Sequence, residues 1–437
     1  MAPTDTLPIR ASRLQVSRFL LLILLLNIGF MLTTALKYTN VLSMGGRVTW
    51  RYVVARACDL GAENNVAAWY SAITLLIAAG VWVICYALDV RGRKPGWDRI
   101  LCWGWLLLAV LFCLLSLDEE GSFHERLGAV PGMNQFEVFV APMVLVGIFL
   151  LAFAWARLRG DWLTIGLLAL GFLTYLSVPI QERAETILEK SGIYTATWHT
   201  PARDVVIEEG SELLGTLFFI AAGLVQARRL NRARVSSMPE NQWLDFEVPV
   251  SPPVVGRVLG SVVGLLGLGF VIAQFVAVPD LPHGSQFTYS ELGSPPDWFA
   301  ASLMLITGSV FLYAARVKSA AGEQQLRRSF YTIFAVFAFV LSIHHGGGHL
   351  LSDIVWAGSP RRQIATNVLL ALACLAVGGV GIARLSRTGS RWSMAVWTVL
   401  VAGAAVLPEP GASMLLFLGY GLVLVGIAPT ALVPGTP

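Results

Sequence analysis

The amino-acid sequence predicts an all-α, polytopic integral membrane protein with about twelve transmembrane helices and both termini in the cytoplasm. The composition favours this class, because 56% of the 437 residues are apolar and only 13% are charged. Soluble domains carry about a quarter charged residues. Uncharged apolar runs of about 20 residues, the length that crosses a bilayer, recur along the chain. The alternating segments of about ten residues that are typical of a membrane β-barrel do not occur.

The apolar runs predict twelve spans. They lie near residues 19–36, 67–88, 100–117, 138–156, 162–181, 205–226, 255–278, 298–315, 329–345, 364–383, 392–407 and 412–430. The first run follows three arginines, as a cleaved signal peptide would. It is longer than the apolar part of a typical signal peptide, so we interpret it as a retained membrane anchor.

The distribution of basic residues sets the predicted orientation. With the N-terminus inside, 21 of the 31 Lys and Arg residues fall in cytoplasmic segments, and every inside loop is basic. Basic residues are enriched in the cytoplasmic loops of membrane proteins. We therefore expect a multi-pass protein of the bacterial inner membrane. The net charge of +4 then reflects topology, and it is no indication of nucleic-acid binding.

A polar, proline-rich segment divides the chain on the predicted cytoplasmic side. Residues 236–253 read SSMPENQWLDFEVPVSPP and have the composition of a linker. We predict an N-terminal six-helix membrane bundle over residues 1–235, this linker, and a C-terminal six-helix membrane bundle over residues 254–437. The loops of the two halves do not match well enough to indicate an internal repeat.

Polar side chains gather at helix ends that the predicted topology places outside. The segment SLDEEGSFHERLG, from Ser116 to Gly128, ends the third span, and VIEEGSELLG, from Val206 to Gly215, lies in the first part of the sixth. Residues four apart lie on one helix face. Carboxylates at membrane depth are costly and persist when they are paired, hydrated or bound to a cation. The pattern therefore predicts a metal site facing the periplasm.

Six side chains are the predicted metal ligands, because carboxylate and imidazole groups bind divalent cations. They are Glu120, His124, Glu208, Glu212, His345 and His349. Zinc is the expected metal, since zinc lowers the pKa of its bound water to about 7 and so supplies a nucleophile. Glu209 is the predicted general base, and Asp118 is the second candidate catalytic residue. The alternative is that the acids are solvated, paired with arginines, or favoured by a helix dipole.

The spacing of His345 and His349 suits metal or haem ligation on one helix face. Three glycines separate them, and each glycine costs a helix about 1 kcal/mol relative to alanine. The segment is therefore either a helix with two ligands or a re-entrant turn in which the glycine backbone approaches a ligand.

The first half of the chain resembles an uncharacterised group of bacterial polytopic membrane proteins. The segments that carry this likeness are CDLGAENNVAAWYSAITLLIAAGVWVI, LFCLLSLDEEGSFHERLG and VIEEGSELLG. The resemblance to this group implies a membrane location and no activity.

A fainter resemblance is to the membrane hydrolase superfamily that contains alkaline ceramidases and adiponectin-type receptors. Those proteins place a serine, an aspartate and a histidine near one end of an early helix, and an HxxxH motif late in the chain. Their histidines together hold a zinc that activates water. The resemblance implies hydrolysis of a lipid amide, with the matching positions Ser116, Asp118, His124, His345 and His349. This chain departs from the family in having more predicted spans, and in crowding the serine, the aspartate and the first histidine into nine residues.

Three functions follow as hypotheses. The first is a metal-dependent hydrolase of a lipid or lipid-linked substrate. The second is a transporter or ion-coupled carrier, although carrier sites lie near the bilayer midplane and the middles of these spans carry almost no charge. The third is a structural or accessory subunit of a larger membrane complex. The expected partners are membrane lipid and other membrane subunits, with no nucleic acid.

The five cysteines form no CxxC pair, which argues against a disulfide framework.

The predicted orientation is testable by thiol labelling of whole cells, in a variant whose native cysteines are replaced. Single cysteines introduced into residues 132–135 or 281–286 should react with a membrane-impermeant reagent. Cysteines introduced into residues 91–94 or 236–253 should react only after the cells are lysed. The reverse pattern would invert the topology and move every predicted site residue to the cytoplasmic face.

Overall fold

The computed structural model describes twelve stretches of the chain. They are residues 6–38, 50–62, 65–90, 96–121, 141–191, 201–235, 240–249, 295–320, 325–346, 360–385, 388–404 and 411–426. The chain forms two compact units. The first unit is Ile9–Phe246, and the second unit is Met1–Pro8 with Glu247–Pro437. The division between them falls inside the predicted linker.

In the described residues of the first unit, the chain forms eight helices. They are α1 (Arg13–Tyr38), α2 (Trp50–Ala57), α3 (Val66–Val90), α4 (Trp97–Leu101), α5 (Trp103–Gly121), α6 (Ala141–Arg157), α7 (Trp162–Lys190) and α8 (Pro201–Arg232). Five further helices are described in the second unit. They are α9 (Pro295–Ala320), α10 (Gln325–Gly346), α11 (Pro360–Arg384), α12 (Thr388–Ala404) and α13 (Gly411–Gly426).

The prediction of a mostly helical chain is confirmed, and its apolar helices are consistent with a membrane protein. Eleven of the twelve predicted spans coincide with helices, and the seventh, near residues 255–278, lies outside the described residues. Among the described residues, six helical segments are long and apolar enough to cross a membrane. They are Arg13–Tyr38, Val66–Val90, Trp97–Glu119, Trp162–Gln181, Trp298–Arg316 and Ser329–Gly346.

A small two-stranded sheet departs from the all-α prediction. Strand β1 (Thr6–Ser12) pairs with strand β2 (Gln242–Pro249), which occupies part of the predicted linker. Beside the sheet, the Trp243 indole Nε1 donates to the Leu224 carbonyl oxygen at 3.0 Å, and the Arg228 guanidinium lies 4.4 Å from the Trp243 ring centroid. The segment after α8 is therefore anchored to the end of that helix.

The second unit has an aromatic core. The rings of Phe311 and Phe334 are 4.4 Å apart between centroids, and Trp397 lies 4.9 Å from Phe334 and 5.8 Å from Tyr420. These side chains come from α9, α10, α12 and α13, so the core joins four of the five described helices. Aromatic pairs at such distances add to the stability that their buried area provides.

Helix α8 lies at the centre of the first unit, where it packs against α1, α3 and α7. Two glycines allow its neighbours to approach. A Cβ atom added at Gly215 would lie 2.6 Å from the Tyr175 ring, and one added at Gly223 would lie 2.6 Å from the Val81 side chain. Because protein interiors are close-packed, any larger residue at either position would push a neighbouring helix away.

A buried polar network links α1, α3 and α8. The Tyr70 hydroxyl donates to Asn27 Oδ1 at 2.7 Å, and the Asn27 amide donates to the Leu213 carbonyl oxygen at 3.0 Å. Buried polar groups cost free energy unless they form hydrogen bonds, so this network favours one relative position of the three helices. It lies directly beside Glu212, the residue before Leu213.

A buried ion pair joins the ends of α3 and α6 to the start of α5. Arg157 Nη2 donates to Asp89 Oδ1 at 2.9 Å and to Oδ2 at 2.8 Å, and the Trp105 indole Nε1 donates to Oδ2 at 3.0 Å. The Asp89 side chain is 1% exposed and that of Arg157 is 12% exposed. Removing one partner of such a pair leaves an uncompensated buried charge.

Replacing Asp89 by asparagine should therefore destabilise the protein by about 3–5 kcal/mol, because Arg157 loses its buried counter-charge. The matched control is Asp98→Asn, since the Asp98 side chain is 67% exposed and lies 4.0 Å from Arg157. The control should cost less than about 1 kcal/mol. Thermal unfolding in detergent micelles measures both changes. Equal losses of Tm in the two variants would contradict the structural role of the buried pair.

Candidate metal centre

Three carboxylates meet between α5 and α8 in the first unit. Glu119 comes from α5, and Glu209 and Glu212 come from α8. One carboxylate oxygen from each residue lies within 4.8 Å of the other two, and all three side chains are half-buried. Divalent cations bind oxygen ligands at about 2.0–2.6 Å. A single cation can therefore contact all three side chains after a small adjustment. We call Glu119, Glu209 and Glu212 the carboxylate cluster.

The electrostatics of the carboxylate cluster favour a bound positive charge. Two unit charges 4 Å apart interact by about 4 kcal/mol at an effective dielectric constant of about 20. Ionised carboxylates at this separation repel one another by a similar amount. Asp118 and Glu208 add negative charges that act on Glu212. A divalent cation, or protons shared among the acids, would relieve this repulsion.

Helix α5 presents Glu119 on its packed face. The Ser116 hydroxyl donates to the Ala72 carbonyl oxygen of α3 at 2.7 Å, which fixes the rotation of α5 against α3. The buried side chains Trp105, Phe112 and Ser116 lie on the same face. Because an α-helix has 3.6 residues per turn, Glu119 continues this buried stripe at the end of the helix.

Aromatic rings pack against α8 about two turns beyond the acids of the carboxylate cluster. Phe219 lies about two turns after Glu212 along the helix. Its ring lies 4.7 Å from that of Phe112 on α5 and 4.9 Å from that of Phe172 on α7, between centroids. The three rings fill the space between the helices with apolar groups, so the acids occupy the polar end of an otherwise apolar seam.

A tyrosine that was not predicted lies beside the carboxylate cluster. The hydroxyl groups of Tyr175 and Thr216 are 2.8 Å apart, and either can be the donor. Tyr175 interacts electrostatically with Glu212, Glu119 and Glu209. The absence of a side chain at Gly215 allows this close approach of Tyr175 to α8. Tyr175 can therefore supply a neutral hydroxyl group to a ligand of the cluster.

The structure brings together part of the predicted set. Glu212 is a member of the carboxylate cluster, and Glu208 lies near it. Glu209 is also a member, so it is close enough to the other acids to act as a ligand or as the predicted general base. Asp118, the second predicted catalytic residue, is largely buried and acts on Glu212 through its charge.

Other predicted ligands are not placed at the carboxylate cluster. Glu120 lies next to Glu119 in the last turn of α5, but its side chain is outside what the structure describes. His124 and His349 lie outside the described residues. His345 lies in the second unit, where it is buried near the end of α10. Helix α10 continues to Gly346, so the chain is helical at His345. The choice between a continued helix and a glycine turn falls on residues 347–349, which lie outside the described residues.

Sequence reasoning missed Glu119 because it followed a spacing of four residues from Ser116. That spacing selects Glu120 and then His124, and it drifts around the helix by about 40° at each step. The alternating three- and four-residue spacing of Trp105, Ala109, Phe112 and Ser116 leads to Glu119 instead. The signal was present in the apolar residues that precede the acids.

Comparison with known protein families gives one match. Residues 19–227 are similar to the family described as a domain of unknown function, DUF8692. This segment contains α5, α7 and most of α8, and with them all three acids of the carboxylate cluster. No curated protein and no solved structure matches the chain.

Replacing Glu212 by glutamine should abolish stabilisation by a divalent cation. A cation that binds only the folded protein adds about 2.7 kcal/mol at a concentration of 100 times its Kd. We therefore expect Mn²⁺ to raise the Tm of the wild type. Without Mn²⁺, the Glu212→Gln variant should be at least as stable as the wild type, because one repulsive charge is removed.

The control for this experiment is Glu240→Gln, which changes an exposed acid in the turn before β2. This variant should keep the full Mn²⁺-dependent rise in Tm. A wild type that does not respond to Mn²⁺, or a Glu212→Gln variant that responds as the wild type does, would show that the carboxylate cluster does not bind the cation.

Proposed function

We propose that this protein binds a divalent cation at the carboxylate cluster and uses it to hydrolyse a lipid or lipid-linked substrate. In this proposal the chain spans the bacterial inner membrane with twelve helices and both termini inside, and the cluster faces the periplasm. The observation that carries the proposal is the meeting of Glu119, Glu209 and Glu212 within 4.8 Å.

The surroundings of the carboxylate cluster support access from the bilayer. Helix α1 packs beside this part of α8, with Met31 next to Gly210, and it carries the exposed apolar side chains Ile28 and Leu32 there. An exposed apolar surface of this kind is compatible with lipid contact. A substrate with an acyl chain could therefore remain in the membrane while its polar group reaches the acids at the helix ends.

The donor atoms bear on the choice of cation. The cluster offers carboxylate oxygens, which suit hard cations such as Mg²⁺, Ca²⁺ and Mn²⁺. The expectation of zinc relied on the histidines, and an imidazole from His124 would shift the preference toward zinc. We propose Mn²⁺ as the first cation to test, since it accepts both kinds of ligand.

The proposed chemistry is activation of water by the bound cation, which lowers the pKa of the water and supplies a nucleophile. Glu209 would serve as a ligand, and the neighbouring Glu208 would then be the general base, in place of the predicted Glu209. Asp118 is largely buried, which suits a negative charge that attracts the cation rather than a group that contacts substrate. Tyr175 is placed to donate a hydrogen bond to a developing negative charge.

An ion-coupled carrier is the second candidate function. The division of the chain into two compact helical units favours it, because many carriers are built from two halves. In that case the carboxylate cluster would bind the transported or coupled cation, and exchange of the cation for protons would accompany transport. A structural or accessory subunit is the third candidate, and it requires no turnover at all.

One reconstitution separates the three candidates. The purified protein is reconstituted into proteoliposomes of bacterial lipid that contain a dye quenched by Mn²⁺. Mn²⁺ is then added outside, and lipid products are measured by mass spectrometry. The proposed hydrolase should release lipid fragments without quenching the dye, and Glu212→Gln should reduce that release at least tenfold. Dye quenching without lipid products would favour the carrier. Cation binding with neither outcome would favour an accessory subunit and contradict hydrolysis of these lipids.

A further inference from the structure

The helix pair α3 and α5 of the first unit and the helix pair α9 and α10 of the second unit are joined by the same kind of hydrogen bond. In the first unit the Ser116 hydroxyl of α5 donates to the Ala72 carbonyl oxygen of α3 at 2.7 Å. In the second unit the Ser342 hydroxyl of α10 donates to the Ala301 carbonyl oxygen of α9, also at 2.7 Å. Both serines are fully buried. The two bonds therefore occupy equivalent places in two helix pairs.

A pair of aromatic rings repeats in register with these bonds. Trp82 and Trp105 stack with centroids 5.3 Å apart, and Phe311 and Tyr331 pack with centroids 5.7 Å apart. Trp82 and Phe311 each lie ten residues after the alanine that accepts the bond. Trp105 and Tyr331 each lie eleven residues before the serine that donates it. In an antiparallel helix pair these spacings follow from the shared hydrogen bond, and the additional likeness is that an aromatic pair occupies this level in both units.

The next helix of each unit ends in the same way. Helices α6 and α11 both run into the tripeptide Ala-Arg-Leu. The backbone N–H of Leu158 donates to the Ala154 carbonyl oxygen at 2.7 Å, and that of Leu385 donates to the Gly381 carbonyl oxygen at 2.9 Å. The leucine is buried in both units.

The last two helices of each unit also correspond. Near their starts, α7 and α12 carry Trp162 and Trp392, which are 67% and 68% exposed. In α8 and α13, Phe219 and Tyr420 are fully buried against a preceding helix. Helix α8 packs on α3 and α7, and α13 packs on α9 and α12. The packing order of five helices is therefore the same in both units.

We infer that the two units are diverged copies of one five-helix repeat, and that only the first copy keeps the carboxylate cluster. In the register set by the shared serine, His344 and His345 stand where the first unit has Asp118 and Glu119. In the register set by Phe219 and Tyr420, Ser413 stands where the first unit has Glu212. In the same register Pro410 stands where the first unit has Glu209, so the second unit lacks all three acids.

The two copies differ in length in the segment that contains their last two helices. The segment from Trp162 to Phe219 is longer than the segment from Trp392 to Tyr420 by 29 residues. The additional residues of the first copy include the extended acidic ends of α7 and α8. The first copy is therefore specialised at the end of the repeat that holds the carboxylate cluster, and the chain should bind one cation rather than two.

Counting bound cations in the full-length protein tests this inference, which rests on the proposed cation binding. Equilibrium dialysis against Mn²⁺, with metal and protein quantified in nanodiscs, should give one ion per wild-type chain. The His345→Gln variant should also bind one ion, and Glu212→Gln should bind none. A chain with His345→Glu, Pro410→Glu and Ser413→Glu should bind two ions, because the three substitutions restore acids at the positions equivalent to Glu119, Glu209 and Glu212.

Each outcome decides a different point. Two ions in the wild type, with one lost in His345→Gln, would overturn the assignment of the cluster to the first copy alone. A folded triple variant that still binds a single ion would overturn the equivalence of the three positions. If the triple variant does not fold, the comparison of the wild type with His345→Gln still decides the first point. No bound Mn²⁺ in the wild type would overturn the proposed function and this assignment with it.

Discussion

The repulsion among Glu119, Glu209 and Glu212 is the constraint on which the first unit depends. Three acids within 4.8 Å at the end of an apolar seam are costly when they are ionised together. The helices nevertheless hold them in place through contacts made elsewhere. The Ser116 bond to Ala72 fixes α5, and the Asn27 bond to the carbonyl oxygen of Leu213 fixes α8. An arrangement held against its own repulsion is typical of a ligand site.

Helix α8 connects the acids to the rest of the first unit. Its contacts with α1, α3 and α7 set the position of α8, and with it the position of Glu212. A side chain at Gly215 would displace Tyr175, whose hydroxyl group lies beside the carboxylates. Packing and chemistry are therefore coupled at this helix, since a change in its contacts would also move the acids.

The helices could be predicted from sequence because long apolar runs have few alternatives in a bilayer. The face on which an acid lies was harder to predict. Glu119 and Glu120 are adjacent, and only the buried stripe that ends at Ser116 distinguishes them. The pair Asp89 and Arg157 was missed because its partners are far apart in sequence and the two residues carry no shared motif.

The internal repeat could not be recognised from the loops, because loops tolerate insertions and lose their likeness first. Packed positions keep their size and spacing while their identities change, as Trp82 and Phe311 illustrate. Backbone acceptors such as the carbonyl oxygens of Ala72 and Ala301 carry no sequence signal at all. Three-dimensional contacts were therefore needed to align the two units.

The most direct test of this account is an experimental structure of the protein in nanodiscs with Mn²⁺, with the metal located by anomalous scattering or by its density. The account predicts one metal peak between α5 and α8, with oxygen atoms of Glu119, Glu209 and Glu212 at about 2.0–2.3 Å. Three acids in the same place with no metal between them, and with basic side chains or shared protons balancing their charge, would contradict it.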